Sequence, residues 1–507
     1  MEQLSLGESG RSTKLEGLSK ADLIKRSTLL ETELHLALKE IYRLKNQQLT
    51  DDQLRLVLSE NIAELNNTIY GSSSEKYKKS EKEEVPSEPS KPRSRRPTER
   101  YPNIPVRDVV INLSSQPICE VCSETMVDSG LTEESEQLTV IPKKYEIVRY
   151  IRTKYRCSCQ GCLVTSPMPP RIVPGSTYSD EMVQDVVLSK YCDLIPIERY
   201  VQMAGRGGLI DLPPQSLIEL THSFADFISS VYELIKHEAM KSRVLHADET
   251  PHKMLEGSLT KSWYLWGFST PTECFLECHN TRSGDVASEV LINSNCEILV
   301  TDVFSGYGKA IRESNVKRQE AKKNIIRNAN CNAHARRYFF KTLLPYPEAK
   351  FYMDHYYEIY KLNSQAHGKS PEEILNLRAE MEPRFEAMKT RAMDNLVNYP
   401  HKNKYRKALS YFLENYGGLT LFLKEPEVPI DNNSQERLLR SHVVGRKTWY
   451  GTHSERGAFT AAVLFTIVET CKLNQVNPRE YIPAITTALL NEKAPFTPRD
   501  FKKIQQS

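Results

Sequence analysis

The chain has 507 residues, 39% of them hydrophobic and 26% charged, with a formal net charge of +3. Such a length predicts several domains with a sizeable core, in a composition ordinary for a globular protein. No apolar run reaches the roughly 18 residues of a membrane span, and so small a net charge does not by itself announce a nucleic-acid binder. The start, MEQLSLGESGRSTKLEG, is polar and lacks an apolar signal core, so a cytoplasmic chain is expected. Its 11 cysteines are then read as thiols or metal ligands rather than disulfides.

Residues 18–48 read as a helix. Leu23, Leu30, Ala37 and Leu44 form a seven-residue series, interleaved by Leu34 and Ile41, which is the seam of a coiled coil. The alternative is one amphipathic helix packed on its own domain. With a second helix at about 50–67, residues 1–70 form an expected N-terminal helical coiled coil. Residues 71–105 hold Ser, Pro, Lys and Glu with little to bury, the composition of a disordered linker. Its basic end carries Arg93, Arg95 and Arg96, which either lie along DNA phosphates or solvate a tether. Residues 106–176 are expected to be a zinc-binding module. Cys119-x2-Cys122 is followed, after the β-like KKYEIVRYIRTKYRC, by Cys157-x-Cys159-x2-Cys162. Two close pairs on turns complete a tetrahedral thiolate site, so Cys119, Cys122, Cys159 and Cys162 are assigned to a structural Zn2+, with Cys157 as alternate. Residues 177–242 read as helices broken near 193–196 and 205–208. They fit a helix-turn-helix-like DNA-binding module, and any small helical module too.

From Val244 the pattern turns to strands: RVLHADE, SWYLWGFS, ECFLECHN, then a helical DVASEVLI, then EILVTDVF. Asp248 ends the first strand-like run before Thr250 and Pro251. Asp302 ends another, before the turn-like FSGYG. Glu436 follows Asp431, Asn432 and Asn433, any of which could cap the helix it begins. Asp431 competes with Glu436 as the third acid, but capping already accounts for Asp431. Two strand-end Asp residues followed by a helical Glu is the chain order of an RNase H-like phosphoryl-transfer site. There, clustered carboxylates hold hard Mg2+ ions with positions open to phosphate and water. Residues 345–425 return to helix, and 431–490 are helical around a polar segment at 445–457. Arg336 and Arg337 in one basic stretch, and Arg437, Arg440, Arg446 and Lys447 beside Trp449 in another, suit a polyanion whose unpaired bases stack on the ring. Cys331-x2-His334 is half a zinc site, more often core than ligand.

Taken together, NTIYGSSSEKY at 67–77, the cysteine cluster, CDLIPIERYVQMAG at 192–205, HADETPHKM at 246–254, TDVFSGYGKAI at 301–311, CNAHARRYFF at 331–340 and DNNSQERLLRSHVVGRKTWYGTHSERGA at 431–458 resemble the insertion-sequence-66 family of bacterial DDE transposases. The resemblance implies a multidomain α/β protein. Its RNase H-like core has a first part at 243–344, a helical insertion at 345–425, and a last part at 426–507 with the catalytic Glu and C-terminal helices. It implies catalysis by Asp248, Asp302 and Glu436 with Mg2+ or Mn2+, two ions about 3.5–4 Å apart. It further implies binding of transposon ends, cleavage and joining of 3′ ends to target DNA, a homo-oligomer, accessory proteins of the same element, and a place at the bacterial nucleoid. The alternatives are a catalytically silent DNA-binding descendant of a transposase and a structure-selective nuclease of the RNase H type.

Overall fold

The computed structural model describes residues 96–110, 118, 120–121, 123–125, 134–141, 143–156, 162–255, 262–399 and 403–506. The expected coiled coil, most of the linker with Arg93 and Arg95, and Cys119, Cys122, Cys157 and Cys159 lie outside them. The described chain divides into two compact units, one of residues 167–201 and 213–506, the other of 96–166 and 202–212. In the smaller unit, Lys154–Arg156 and Leu163–Thr165 pair antiparallel, with Tyr155 opposite Val164. Cys162, just before the second of these strands, is exposed. Arg96 lies 3.7 Å from Glu134.

The larger unit opens with helices α1 (Asp180–Val187), α2 (Pro214–Phe227) and α3 (Ser229–Met240). Ser179 starts α1 by accepting the Met182 amide, the usual way a serine satisfies a first-turn donor. Five strands follow: β1 (Val244–Lys253), β2 (Ser262–Ser269), β3 (Cys274–His279), β4 (Ile298–Thr301) and β5 (Arg327–Asn330). Their spatial order is β3-β2-β1-β4-β5. The pairs β1–β2 and β2–β3 are antiparallel, and β1–β4 and β4–β5 are parallel. The parallel steps are bridged by helices, as such crossovers require: α4 (Asp285–Asn293) precedes β4, and α5 (Ser305–Glu320) joins β4 to β5.

Both faces of the sheet are covered, which explains why its central strands are nearly all apolar or buried. Leu245, Ala247, Trp266, Phe268, Phe275 and Leu299 pack on Val290 and Leu291 of α4 and Tyr307 and Ala310 of α5. On β5 and beyond lie α6 (Asn332–Thr342), α7 (Ala349–Ser364), α8 (Glu382–Leu396) and α9 (Lys404–Glu414). They form an aromatic core of their own with Val300 and Ala329, in which Phe339 stacks on Tyr352 with ring centroids 4.1 Å apart. Each such fully buried ring contributes roughly 1.5–3 kcal/mol.

The chain then returns to the sheet with α10 (Asn433–Trp449) and α11 (Glu455–Leu473). Almost every residue of α11 from Gly457 to Cys471 is buried, so it is an internal helix, apolar all round. Thr466 and Thr470 of α11 accept the Leu276 and Cys274 amides of β3. Among the described residues no helix is long and apolar enough to cross a membrane.

Two expectations need correction. Helix α10 runs through the first residues of the polar segment expected to interrupt it, and the break falls at Tyr450, whose φ is 67°. Gly445 makes this continuation fit: a Cβ there would lie 2.5 Å from the Trp449 ring. The FSGYG sequence is not a free turn either, since Ser305 to Gly308 already form the first turn of α5.

Candidate active site

The site begins with the alternation of β1. Successive side chains of a strand face opposite sides. His246, Asp248, Thr250 and His252 therefore share one face, and Leu245, Ala247 and Glu249 the other. The first face packs on α10. His246 Nδ1 lies 2.7 Å from Asn432 Oδ1, and the Asn432 amide donates to the Ala247 carbonyl at 2.9 Å. Further along, His252 Nδ1 lies 2.9 Å from His442 Nε2, and His252 Nε2 lies 2.8 Å from Thr452 Oγ1. The helix is thus fastened to the strand on either side of Asp248. β2 comes close beneath it: Gly267, opposite Asp248, leaves room for Gln435, whose Nε2 a Cβ would approach to 2.3 Å.

Asp248 does not end its strand, as expected, but sits near its middle. The parallel pairing with β4 stops at His246, while antiparallel pairing with β2 continues to Lys253. Beyond His246 no described strand pairs with β1 on that side, and its next backbone partner there is Thr452, which bridges Met254. That suits Pro251, which cannot donate to a ladder. Asp302 stands one residue past β4, where its Oδ1 accepts the Phe304 amide at 3.0 Å. Glu436 lies in the first turn of α10. Asn432, the N-cap position, makes no side-chain cap because it is committed to β1. Asp431 accepts the Asn433 amide at 3.1 Å and the Tyr360 hydroxyl at 3.1 Å.

Asp248, Thr250, His334, Glu436, Leu439 and Arg440 line a cleft of about 360 Å³, with Glu249 and Val443. Burial pushes the Asp248 carboxyl up to about 8, and the charges of Glu249, Asp302 and Glu436 push the same way. All three acids are therefore within electrostatic reach of Asp248. A cluster of like charges with this cost suits a divalent cation, which can replace the proton that Asp248 otherwise keeps at neutral pH. The oxygen-rich donor set fits Mg2+ or Mn2+.

Glu249 was not singled out from the sequence. Its side chain is only 2% exposed, yet Arg282 donates two bonds to its Oε1, at 2.9 and 2.7 Å, and Tyr307 donates to its Oε2 at 2.5 Å. Burial raises this carboxyl while both donors pull it down. Arg282 also lies over the Phe304 ring, 4.1 Å from its centroid. One buried carboxylate thus links β1, beside Asp248, to the segment that follows Asp302. The signal was the acid next to Asp248 in HADET, which alternation places on the opposite face.

The start of α6 brings the Cys331-x2-His334 half-site to Glu436. His334 Nδ1 lies 3.7 Å from Glu436 Oε1, and Cys331 Sγ accepts the Asn432 amide at 3.2 Å. Of the basic residues, Arg440 lines the cleft, and Arg437, Arg440 and Lys447 are exposed. Arg336 lies over the Tyr360 ring at 5.8 Å, and Arg337 shares its helix. Arg446 is half-buried, and burial lowers its guanidinium. Trp449 packs edge-on to Tyr191 and under the Lys190 ammonium. Arg318, within the basic stretch, is buried and holds the Leu291, Ser294 and Asn324 carbonyls.

The fold and the cleft define an α/β protein that gathers acids from a strand, a strand end and a helix start around one face of a mixed sheet. Residues 175–460 match the model of the transposase IS66 family, and the chain belongs to that family. Three proteins of Sinorhizobium fredii (strain NBRC 101917 / NGR234), each described as uncharacterized, are similar to it. Protein y4jD is 26% identical over 406 residues, 77% of this chain and 78% of its own. Protein y4hP is 24% identical over 388 residues, 72% and 69% of the two chains. Protein y4qI is 24% identical over 375 residues, 70% and 68%.

Proposed function

We propose that this chain is a DDE transposase that binds the ends of its element, cleaves phosphodiester bonds and joins the 3′ ends to target DNA. The observation that carries this reading is the acidic cleft, where the charges of Asp302 and Glu436 bear on Asp248. The strand order β3-β2-β1-β4-β5, with β2 antiparallel to both its neighbours, supports an RNase H-like core. In this reading 243–344 and 426–507 are its two parts and 345–425 its helical insertion.

Asp248, Asp302 and Glu436 would hold Mg2+ or Mn2+, which when bound activates the attacking oxygen and stabilises charge on the phosphate. The chain's own part is positioning and electrostatics. The β1–α10 contacts hold Asp248 opposite Glu436. Arg282 and Tyr307, through Glu249, hold β1 against the segment after Asp302. Arg440 and Arg437 bring positive charge to the phosphate. Arg336, Arg337, Arg446, Lys447 and Trp449 extend a DNA surface, as do Arg93, Arg95 and Arg96 in the linker. The cysteine module, with a structural zinc, and the N-terminal coiled coil would serve end recognition and pairing of copies.

The test is purified protein with Mg2+, labelled element-end DNA and a plasmid target, alongside Asp302→Ala. Joined products that vanish in the variant are expected. Wild-type protein that binds ends but neither cuts nor joins them, even with the element's accessory proteins added, would leave the silent DNA-binding alternative.

A further inference from the structure

Cys331, His334 and Glu436 meet although 105 residues separate the first from the last in the chain. Cys331 sits at the N-cap of α6 and His334 in its first turn, while Glu436 comes from the first turn of α10. One ligand atom from each, the thiol sulfur, an imidazole nitrogen and a carboxylate oxygen, lie within 4.8 Å of one another. Two of these groups are left unsatisfied. His334 Nδ1 and Glu436 Oε1 are both buried without a hydrogen-bond partner, 3.7 Å apart. Leaving such atoms unpaired costs free energy, so the arrangement calls for something between them. Cys331 is fully buried, and the backbone amide of Asn432 donates to its sulfur at 3.2 Å.

We propose that Cys331, His334 and Glu436 bind a single thiophilic divalent cation, Zn2+ by its chemistry, at the floor of the cleft. A thiolate, an imidazole and a carboxylate together select Zn2+ over Mg2+, which takes oxygen ligands. Bonds of about 2.0–2.2 Å to nitrogen and oxygen place two tetrahedral ligand atoms about 3.3–3.6 Å apart, and His334 Nδ1 and Glu436 Oε1 lie 3.7 Å apart, so a small side-chain adjustment brings them to that spacing. Three protein ligands leave a fourth position for water or a substrate oxygen on the cleft side. The ion fastens the start of α6 to the start of α10. It occupies Glu436 Oε1 and leaves the other carboxylate oxygen to the cleft, so the position of the third acid depends on a metal distinct from Mg2+. This goes beyond the transposase reading and does not need it, because the cation binds whether or not DNA is joined.

The experiment uses full-length protein, stripped of metal and re-equilibrated with Zn2+ or Co2+, with bound metal counted by elemental analysis. Cys331→Ser and His334→Gln are each expected to hold one zinc fewer than wild type. A Cys119→Ser/Cys122→Ser/Cys157→Ser/Cys159→Ser/Cys162→Ser chain, which lacks the whole cysteine cluster expected to hold the structural zinc, should keep a cobalt–thiolate absorption that disappears on adding Cys331→Ser. His334 is partly exposed, so His334→Gln decides the matter if Cys331→Ser fails to fold. Equal zinc counts in wild type and a normally melting His334→Gln, or no thiolate absorption in the chain without the cysteine cluster, would overturn the proposal. Loss of DNA joining alone would not bear on it.

Discussion

At the scale of single residues, the site is governed by which carboxylates have partners. Glu249 is nearly fully buried and satisfied by Arg282 and Tyr307. Asp248, its neighbour, faces like charges and rises to about 8. One acid is held by two donors, the other poised for a cation, although they are adjacent in the chain. Tyr307→Phe removes the hydroxyl donor and leaves Glu249 Oε2 unpaired in the interior. A loss of about 1–3 kcal/mol is expected, read as a lower denaturant midpoint with an unchanged slope. An unaltered midpoint would mean that Arg282 alone satisfies the carboxylate. Sequence reading reached the three proposed acids through their local contexts. It passed over Glu249, because nothing local tells a buried ion-paired Glu from an ordinary strand residue.

At the scale of elements, β1 and α10 form the frame of the site, and two buried imidazoles are among its fastenings. Burial holds both His252 and His442 neutral, the nearby Arg446 charge acts the same way on each, and His252 adds to the effect on His442. A histidine kept neutral in the fold, with its pKa below that of the unfolded chain, contributes fully above about pH 6.5. Its contribution is lost as the pH falls below that value, because the unfolded chain then binds more protons. The slope is at most about 1.4 kcal/mol per pH unit for each such imidazole. The melting temperature of wild type is therefore expected to fall between pH 7 and pH 5, and His252→Gln to fall less over the same interval. Parallel slopes would place the acid sensitivity elsewhere, with buried His222 and His246 as candidates. The strands β1 to β4 and the crossover α4 were readable from period-two and apolar runs. The edge strand β5, with the sequence RNAN, was not. Its pairing comes from Ile298 to Thr301 alongside, not from its own polar residues.

At the scale of the whole molecule, the helical segments from α6 to α9 build their own aromatic core, and the chain then returns to place Glu436 across from β1. An acidic cleft assembled this way should stabilise the fold when a cation enters it. Binding to the folded state alone contributes about 2.7 kcal/mol at a hundredfold excess over Kd. Added Mg2+ should therefore raise the melting temperature of wild type. Asp248→Asn replaces a buried carboxyl that is protonated without the cation by a neutral amide, and removes a ligand for the ion, so it should melt no lower than wild type without Mg2+ and respond little to it. An equal Mg2+ shift in both proteins would separate the stabilising ion from this cleft.

By itself the sequence determined the identity and order of most elements of the larger unit, since period-two runs, apolar stretches and capping residues act over a turn or a strand. It also carried the motifs that resemble the transposase family to which the chain belongs. Only the tertiary structure decided that Asp248 lies within its strand, that α10 continues to Trp449, and that Cys331 and His334 come to Glu436. The reason is range. His246 and Asn432 are 186 residues apart in the chain, and His252 and His442 are 190. No local pattern specifies contacts at that separation. They follow from burying both faces of one sheet, and that packing decides which polar side chains finish inside the cleft.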